Sequence, residues 1–190
     1  MAKTGEKENI KNAISILKKA LELEPKIDLY PDTKTRETDP QLVANKFAAS
    51  CKVEEGKKLA VQGKIEQAIN LYNEAQKSDS DFEINASNWA ALCFIGSLNN
   101  QAQDVLFACE KAVKLESNNS NIQFYRGLAR ALTGDYQGAI EDFQILVESM
   151  KNEEDKARFE GWIESLKKGE NSFTSEVLEE LKEEFSRVLR

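Results

Sequence analysis

The chain has 190 residues, 26 of them Lys or Arg, 33 Asp or Glu and none His, for a formal charge of −7. Without imidazole there is no general base for a Ser-His-Asp or Cys-His nucleophile, and three cysteines cannot close a four-thiolate zinc site. The acidic balance argues against nucleic acid, whose phosphates are bound mainly by Lys and Arg. No apolar run approaches the ~18 residues of a membrane span, and the polar start from Met1 to Glu8 lacks the apolar core of a secretory signal. Cys51, Cys93 and Cys109 are odd in number and never closer than 16 residues, so free thiols at packing positions and a reducing cytoplasm are expected.

Apolar residues recur at helical spacing nearly throughout, which predicts an all-α chain. Ile10, Ala13, Ile14, Leu17, Ala20 and Leu21 stripe a first helix over about 6–24, stopped by Pro25. Periodicity is lost from Pro25 to Thr38, a connector rich in Pro, Asp and Thr. Asp39-Pro40 reads as an N-cap with Pro in the first helical position, opening a long helix to Gly63. Six helices follow, over about 65–78, 84–98, 101–116, 120–133, 136–150 and 153–168. After a break at Asn171–Thr174, a last amphipathic helix over about 175–189 carries Val177, Leu178, Leu181, Phe185, Val188 and Leu189. The expected organisation is an N-terminal helix and connector (1–38), three helix pairs (39–150) and C-terminal capping helices (151–190).

The pairs repeat. The stretch from Trp89 aligns with that from Gln123 at an offset of 34 without a gap, and a copy starting near Ala49 aligns at 37 with extra residues at Asp81 to Glu83. Small residues stand at Gly56, Cys93 and Gly127. Turns fall at Gly63, Asn100 and Gly134, where Asn, like Gly, tolerates left-handed backbone. Apolar residues then recur at Ala68/Val105/Ala139, Tyr72/Cys109/Phe143 and Ala75/Ala112/Leu146. Paired helices approach closely only where side chains are small, so Gly56 is expected beside Ala68, Cys93 beside Val105 and Gly127 beside Ala139. One pair cannot bury its own apolar face, which requires a continuous stack.

Trp89 and Leu92, the stretch Ala112-Val113-Lys114-Leu115-Glu116, and Gly134-Asp135-Tyr136 through Ala139-Ile140 to Phe143 resemble the tetratricopeptide repeat. The resemblance covers about 49–150. The segment Ala13 to Pro25 looks like the second helix of a further repeat. Departures are Ser80 and Ser117 where the family closes with Pro, and Arg130 where the third copy would carry Tyr. The resemblance implies a right-handed superhelical solenoid of antiparallel helix pairs that binds protein. Asp39-Pro40 with Lys52 to Ala60, and Gly161 to Thr174, are also similar to repeat tails of large bacterial proteins carrying caspase-like or propeller domains.

In that family the first helix of each pair lines the concave face. The resemblance therefore implies a groove formed by Val53 and Lys57 on the first copy, Ala90, Phe94 and Ser97 on the second, and Asn121, Phe124, Leu128 and Ala131 on the third. Phe94, Phe124 and Leu128 would form an exposed apolar strip, the usual mark of a binding surface. The variant of the fold that grips a C-terminal carboxylate is not expected, because among its matching positions Val53, Lys57, Ala91, Asn121 and Tyr125 only Lys57 carries the needed charge. Other chemistry falls away. Gly56 to Lys64 has its glycines seven apart and Ile65 where a phosphate loop needs Ser or Thr. Acidic clusters such as Glu153-Glu154-Asp155 and Glu183-Glu184 read as solvated faces with partners such as Glu183–Arg187 and Asp155 near Arg158.

The expectation is a non-enzymatic scaffold binding a peptide or helix of a partner protein, without cofactor, metal, nucleic acid or membrane, and with a homodimer left open. The competing expectation is a structural spacer or self-association module whose groove is filled internally, by the first helix or the connector.

Overall fold

A computed structural model describes residues 2–29, 38–78 and 82–188. Among them every regular element is a helix: α1 (Ala2–Leu23), α2 (Pro40–Val61), α3 (Ile65–Ser78), α4 (Ala86–Leu98), α5 (Ala102–Leu115), α6 (Ser120–Thr133), α7 (Tyr136–Ser149), α8 (Glu153–Lys167) and α9 (Ser175–Val188). No helix among the described residues is long and apolar enough to cross a membrane. Most of the Pro25–Thr38 connector, and Ser80 and Asp81, lie outside the described residues.

Local chemistry explains the boundaries. Asp39 Oδ1 accepts from the Gln41 N–H at 2.8 Å, the cap expected from Asp-Pro. Asn85, Asn119, Asp135 and Asn152 cap α4, α6, α7 and α8 in the same way. The three intra-pair turns close identically: the N–H groups of Lys64, Gln101 and Asp135 donate to the carbonyls of Leu59, Gly96 and Arg130, each at 2.9 Å. Each turn needs a left-handed residue, supplied by Gly63 (φ 76°), Asn100 (φ 59°) and Gly134 (φ 88°).

The chain gathers into two compact units, one from residues 1–56 and 69–83, the other from 57–68 and 84–190. In the first, the α1 stripe Ile10, Ala13, Ile14, Leu17, Ala20 and Leu21 is half-buried, and Ile16 and Leu23 are exposed. Val43, Ala44, Ala49, Val53, Tyr72 and Ala75 are buried. Lys52 Nζ donates to Ser78 Oγ at 2.9 Å, tying α2 to the end of α3. Burial, and secondarily the charge of Glu54, pushes the Tyr72 hydroxyl well above its ordinary pKa.

In the second unit α4 packs on α5, α6 on α7 and α5 on α6; α8 adds to α7, and α9 lies against α4. The closest approach within each pair is not the one expected. A Cβ on Gly127 would stand 2.5 Å from Phe143 Cε1, so Gly127 faces Phe143 rather than Ala139. At the equivalent place one copy earlier, Cys93 and Cys109 form a disulfide with Cα atoms 4.9 Å apart. Cys93 therefore pairs with Cys109 rather than packing as a thiol beside Val105, which meets Gly96 instead. The disulfide overturns the expectation of free thiols for these two residues, because helices this close bring the 16-residue spacing to bonding distance. It also removes the thiol argument for a reducing compartment; Cys51 is free and exposed.

The buried face of α6 and α7 holds charge as well. Asp142, 1% exposed, accepts from Arg126 Nε at 3.0 Å and Nη2 at 2.5 Å, and from Arg130 Nη1 at 3.0 Å. Glu110 on α5 accepts from Arg126 at 3.1 Å and Arg130 at 2.8 Å. Burial opposes the Arg126 charge, but its hydrogen bond to Asp142 and the two carboxylate charges outweigh that and raise its pKa. Arg130, a departure from the repeat pattern, is thus part of a satisfied network joining α5, α6 and α7.

Candidate functional site

The inner face of the second unit starts from two adjacent first helices. α4 contacts α6 directly, and their inward residues are aromatic: Phe94 stacks on Tyr125 at 4.3 Å between ring centroids and meets Phe124 at 6.0 Å. α8 adds a third wall. Phe159 meets Phe124 edge-on at 5.4 Å, and Trp162 stacks on Phe124 at 6.3 Å. Asn152 caps α8 and sets its entry. Phe173, 5% exposed, plugs the far end against Trp162 at 4.9 Å and Phe143 at 5.9 Å.

α9 occupies this face. Its apolar stripe is Val177, Leu178, Leu181 and Phe185, with Leu178 and Leu181 each 4% exposed. Phe185 meets the edge of Phe94 at 5.2 Å. Arg158 on α8 donates to both oxygens of Glu184, at 3.0 and 3.3 Å, and its guanidinium lies 4.8 Å from the Trp162 ring centre. Between α9 and the walls remains a cavity of about 520 Å³, lined by Phe94, Asn121, Phe124, Tyr125, Phe159, Leu181 and Phe185 among others. Burial raises the Tyr125 pKa.

The expected groove residues fall into three groups. Asn121 and Phe124 line the cavity, the first exposed and the second half-buried, and Phe94 joins them. The expectation that Phe94 and Leu128 form an exposed strip fails: Phe94 is 4% exposed, Leu128 and Ala131 are 0%, and all three belong to the core beneath α8 and α9. Ala90 and Ser97 are buried too, and the Ser97 hydroxyl donates to the Cys93 carbonyl at 2.8 Å. Val53 is buried in the first unit and Lys57 is half-buried; neither lines this cavity.

The residues missed are those of the seat: Arg158, Leu181, Glu184 and Phe185. The α9 stripe is visible in the sequence, but nothing in it says which face it covers. The expected Glu183–Arg187 pair forms at 3.3 Å, whereas Arg158 reaches Glu184 across helices. Within the second unit the helix that covers this face is α9, and most of the connector lies outside the described residues. Among the described residues no group of three or more Cys, Asp or Glu side chains converges as a metal ion would need.

Over 103 residues, 54% of this chain, the sequence is 26% identical to DnaJ homolog subfamily C member 3 of Gallus gallus. The matched stretch is 20% of that relative's length, so the chain spans about a fifth of it. No protein-family model matches the chain, and no solved structure does. The all-helical fold, with contacts between successive helices, is consistent with the helix pairs read from the sequence.

Proposed function

We propose that the chain is a protein-interaction scaffold of the tetratricopeptide type: a right-handed solenoid of antiparallel helix pairs whose concave face takes a helix or peptide from a partner protein. In this reading it has no catalytic activity of its own. The observation that carries it is the seating of α9. The face formed by α4, α6 and α8 holds an amphipathic helix through an aromatic contact at Phe94 and a charge-assisted contact at Arg158, the combination that recurs in helix-in-groove recognition. The distant similarity to a DnaJ homolog supports protein partners. The likeness of the flanking segments to tails of large bacterial proteins adds nothing to this reading.

The same seating favours a second reading, a spacer or self-association module whose groove is filled from within. The two separate by cross-linking. A photoreactive phenylalanine analogue replaces Asn121, at the cavity rim, or Gln144, on the exposed side of α7. Protein adducts in the native host at position 121 and not at 144 are expected for the scaffold. No adduct at 121 overturns it, and adducts only with a second copy favour self-association.

A further inference from the structure

The α8–α9 turn repeats the closure of the three intra-pair turns. Gly169 is left-handed (φ 81°) and the Glu170 N–H donates to the Ser165 carbonyl at 3.0 Å. A second helix launched from such a turn would pair with its own first helix. Here residues 171–174 intervene and α9 lies against α4 instead.

The connector is fastened up to Phe173 and no further. Asn171 Nδ2 donates to the Ala131 carbonyl at 3.4 Å, its Oδ1 accepts from the Phe173 N–H at 3.0 Å, and the Phe173 ring is buried. From Thr174 onward α9 is held by its own stripe and by the Arg158–Glu184 pair, whose side chains are 41% and 51% exposed. Its Leu181, Glu184 and Phe185 border the open cavity of about 520 Å³, and Phe185 stays half-buried. The α9 arm is therefore seated past a fixed anchor, beside a cavity open to solvent.

Resting on the scaffold reading above, we propose that α9 is a displaceable occupant of the groove and a template for the true ligand. The partner element is an acidic amphipathic helix with aliphatic side chains spaced as Leu178 and Leu181, a carboxylate at the place of Glu184 and an aromatic ring at that of Phe185. The spacing 178, 181, 185 places the three apolar groups on one helix face. α9 itself carries five Glu against one Lys and one Arg, and the Arg158 guanidinium supplies the matching cation. A tethered occupant competes at a high effective concentration, so a partner binds weakly until the arm is weakened or outcompeted.

The probe is a fluorescein-labelled peptide with the sequence of residues 175–188, titrated into the full chain and followed by anisotropy. The unmodified chain should bind it weakly. The chain carrying Leu181→Ser and Phe185→Ser, and separately the milder Glu184→Arg, should bind it at least ~10-fold more tightly, because the internal competitor is lost. A peptide carrying Glu184→Arg should bind the Leu181→Ser, Phe185→Ser chain poorly and recover on that chain with Arg158→Glu added. Far-UV circular dichroism shows whether each variant is folded, and Glu184→Arg, on an exposed side chain, decides the matter if the double variant is not. Equal binding by the unmodified chain and the variants overturns the competition while leaving the scaffold reading intact. No binding to any of them overturns the ligand chemistry proposed here; the scaffold reading is judged by the cross-links at position 121. A concentration-dependent dimer of the unmodified chain that dissociates when the peptide binds makes a second copy's α9 the occupant and overturns the partner-helix assignment.

Discussion

Gly127 on α6 lies so close to Phe143 on α7 that a Cβ added to the glycine would stand 2.5 Å from Cε1 and 2.9 Å from Cδ1 of the ring. The two residues are 16 apart in sequence, as are Cys93 and Cys109, which are bonded, and Gly56 and Tyr72, both buried. In the two later pairs this position carries the close helix approach, filled by glycine against a ring in one and by a disulfide in the other. Gly127→Ala should cost about 1–3 kcal/mol by overpacking. Gly161→Ala, where no atom lies within 4 Å of the added methyl, should gain about 0.5–1 kcal/mol from helix propensity. Urea unfolding of the two variants reads both signs, and equal midpoints would remove the close-approach argument.

The Cys93–Cys109 bond predicts a thiol count. Unreduced, denatured protein should show one free thiol, Cys51, and reduction should raise this to three. Opening a loop of this size should cost about 3 kcal/mol in the chain-entropy account. The melting temperature should therefore fall in reductant, and a Cys93→Ala, Cys109→Ala chain should melt alike with and without it. Three free thiols before reduction would show that the pair is in contact without being bonded.

Asp142 is 1% exposed and accepts from two arginines. Replacing it with Asn keeps the shape and leaves two guanidinium groups short of a counter-charge in a poorly solvated place. The expected cost is about 3–5 kcal/mol. Glu183→Gln, which breaks an exposed helix pair, should leave the unfolding midpoint unchanged within error. Comparable midpoints for the two variants would mean that the Asp142 network is as water-screened as the surface pair.

The helices and turns were legible because each has a local cause. The Asp39-Pro40 cap, the left-handed Asn100 and the 34-residue period can be read from neighbours in the chain. The pairing inside each repeat was half legible: Gly127 and Phe143 both stand out in the period, but helix rotation, which period alone does not give, decides that they face one another rather than Gly127 and Ala139. Arg130 looked like a lapse, and Asp142 did not stand out at all, because charge pairing between helices leaves no mark in a single stripe. The groove was least legible. Phe94 and Leu128 point inward as the repeat pattern implies, yet whether inward means open or covered depends on where α9 goes, and that is set by the four connector residues 171–174, the ring of Phe173 among them.

Tyr72 and Tyr125 give a pH test. Burial raises both above the free value of 10.0, and the charge of Glu54 adds to the rise at Tyr72. A group whose folded pKa is raised stabilises the fold fully below its unfolded pKa and loses that contribution as pH rises toward the folded value. Stability should thus hold up to about pH 10 and fall above it. In Tyr72→Phe the fall should be shallower. Tyrosinate absorbance should show these rings ionising late, together with unfolding. All four tyrosines of the chain titrating at the ordinary value with the helices intact would show that these two are solvated.

The double replacement of Phe94 and Phe124 with Ala tests the seat itself. As half-exposed groove residues they would cost about 1 kcal/mol each, but Phe94 is 4% exposed and touches rings from α6 and α9, while Phe124 meets Phe143, Phe159 and Trp162. Buried Phe truncations cost about 3–5 kcal/mol. The pair shares a neighbour in Tyr125, so the two losses should not add in full. The double variant should therefore be destabilised at least as much as Trp89→Ala, whose ring is 2% exposed on the same helix as Phe94. It should also release α9: hydrogen exchange at the amides of residues 178–186 should accelerate before that of α5, because the floor under Leu181 and Phe185 is gone while the α4–α5 contacts and the disulfide remain. A double variant that unfolds far less readily than Trp89→Ala, with α9 amides still protected, would place the two rings outside the core and detach α9 from the face on which its seating rests.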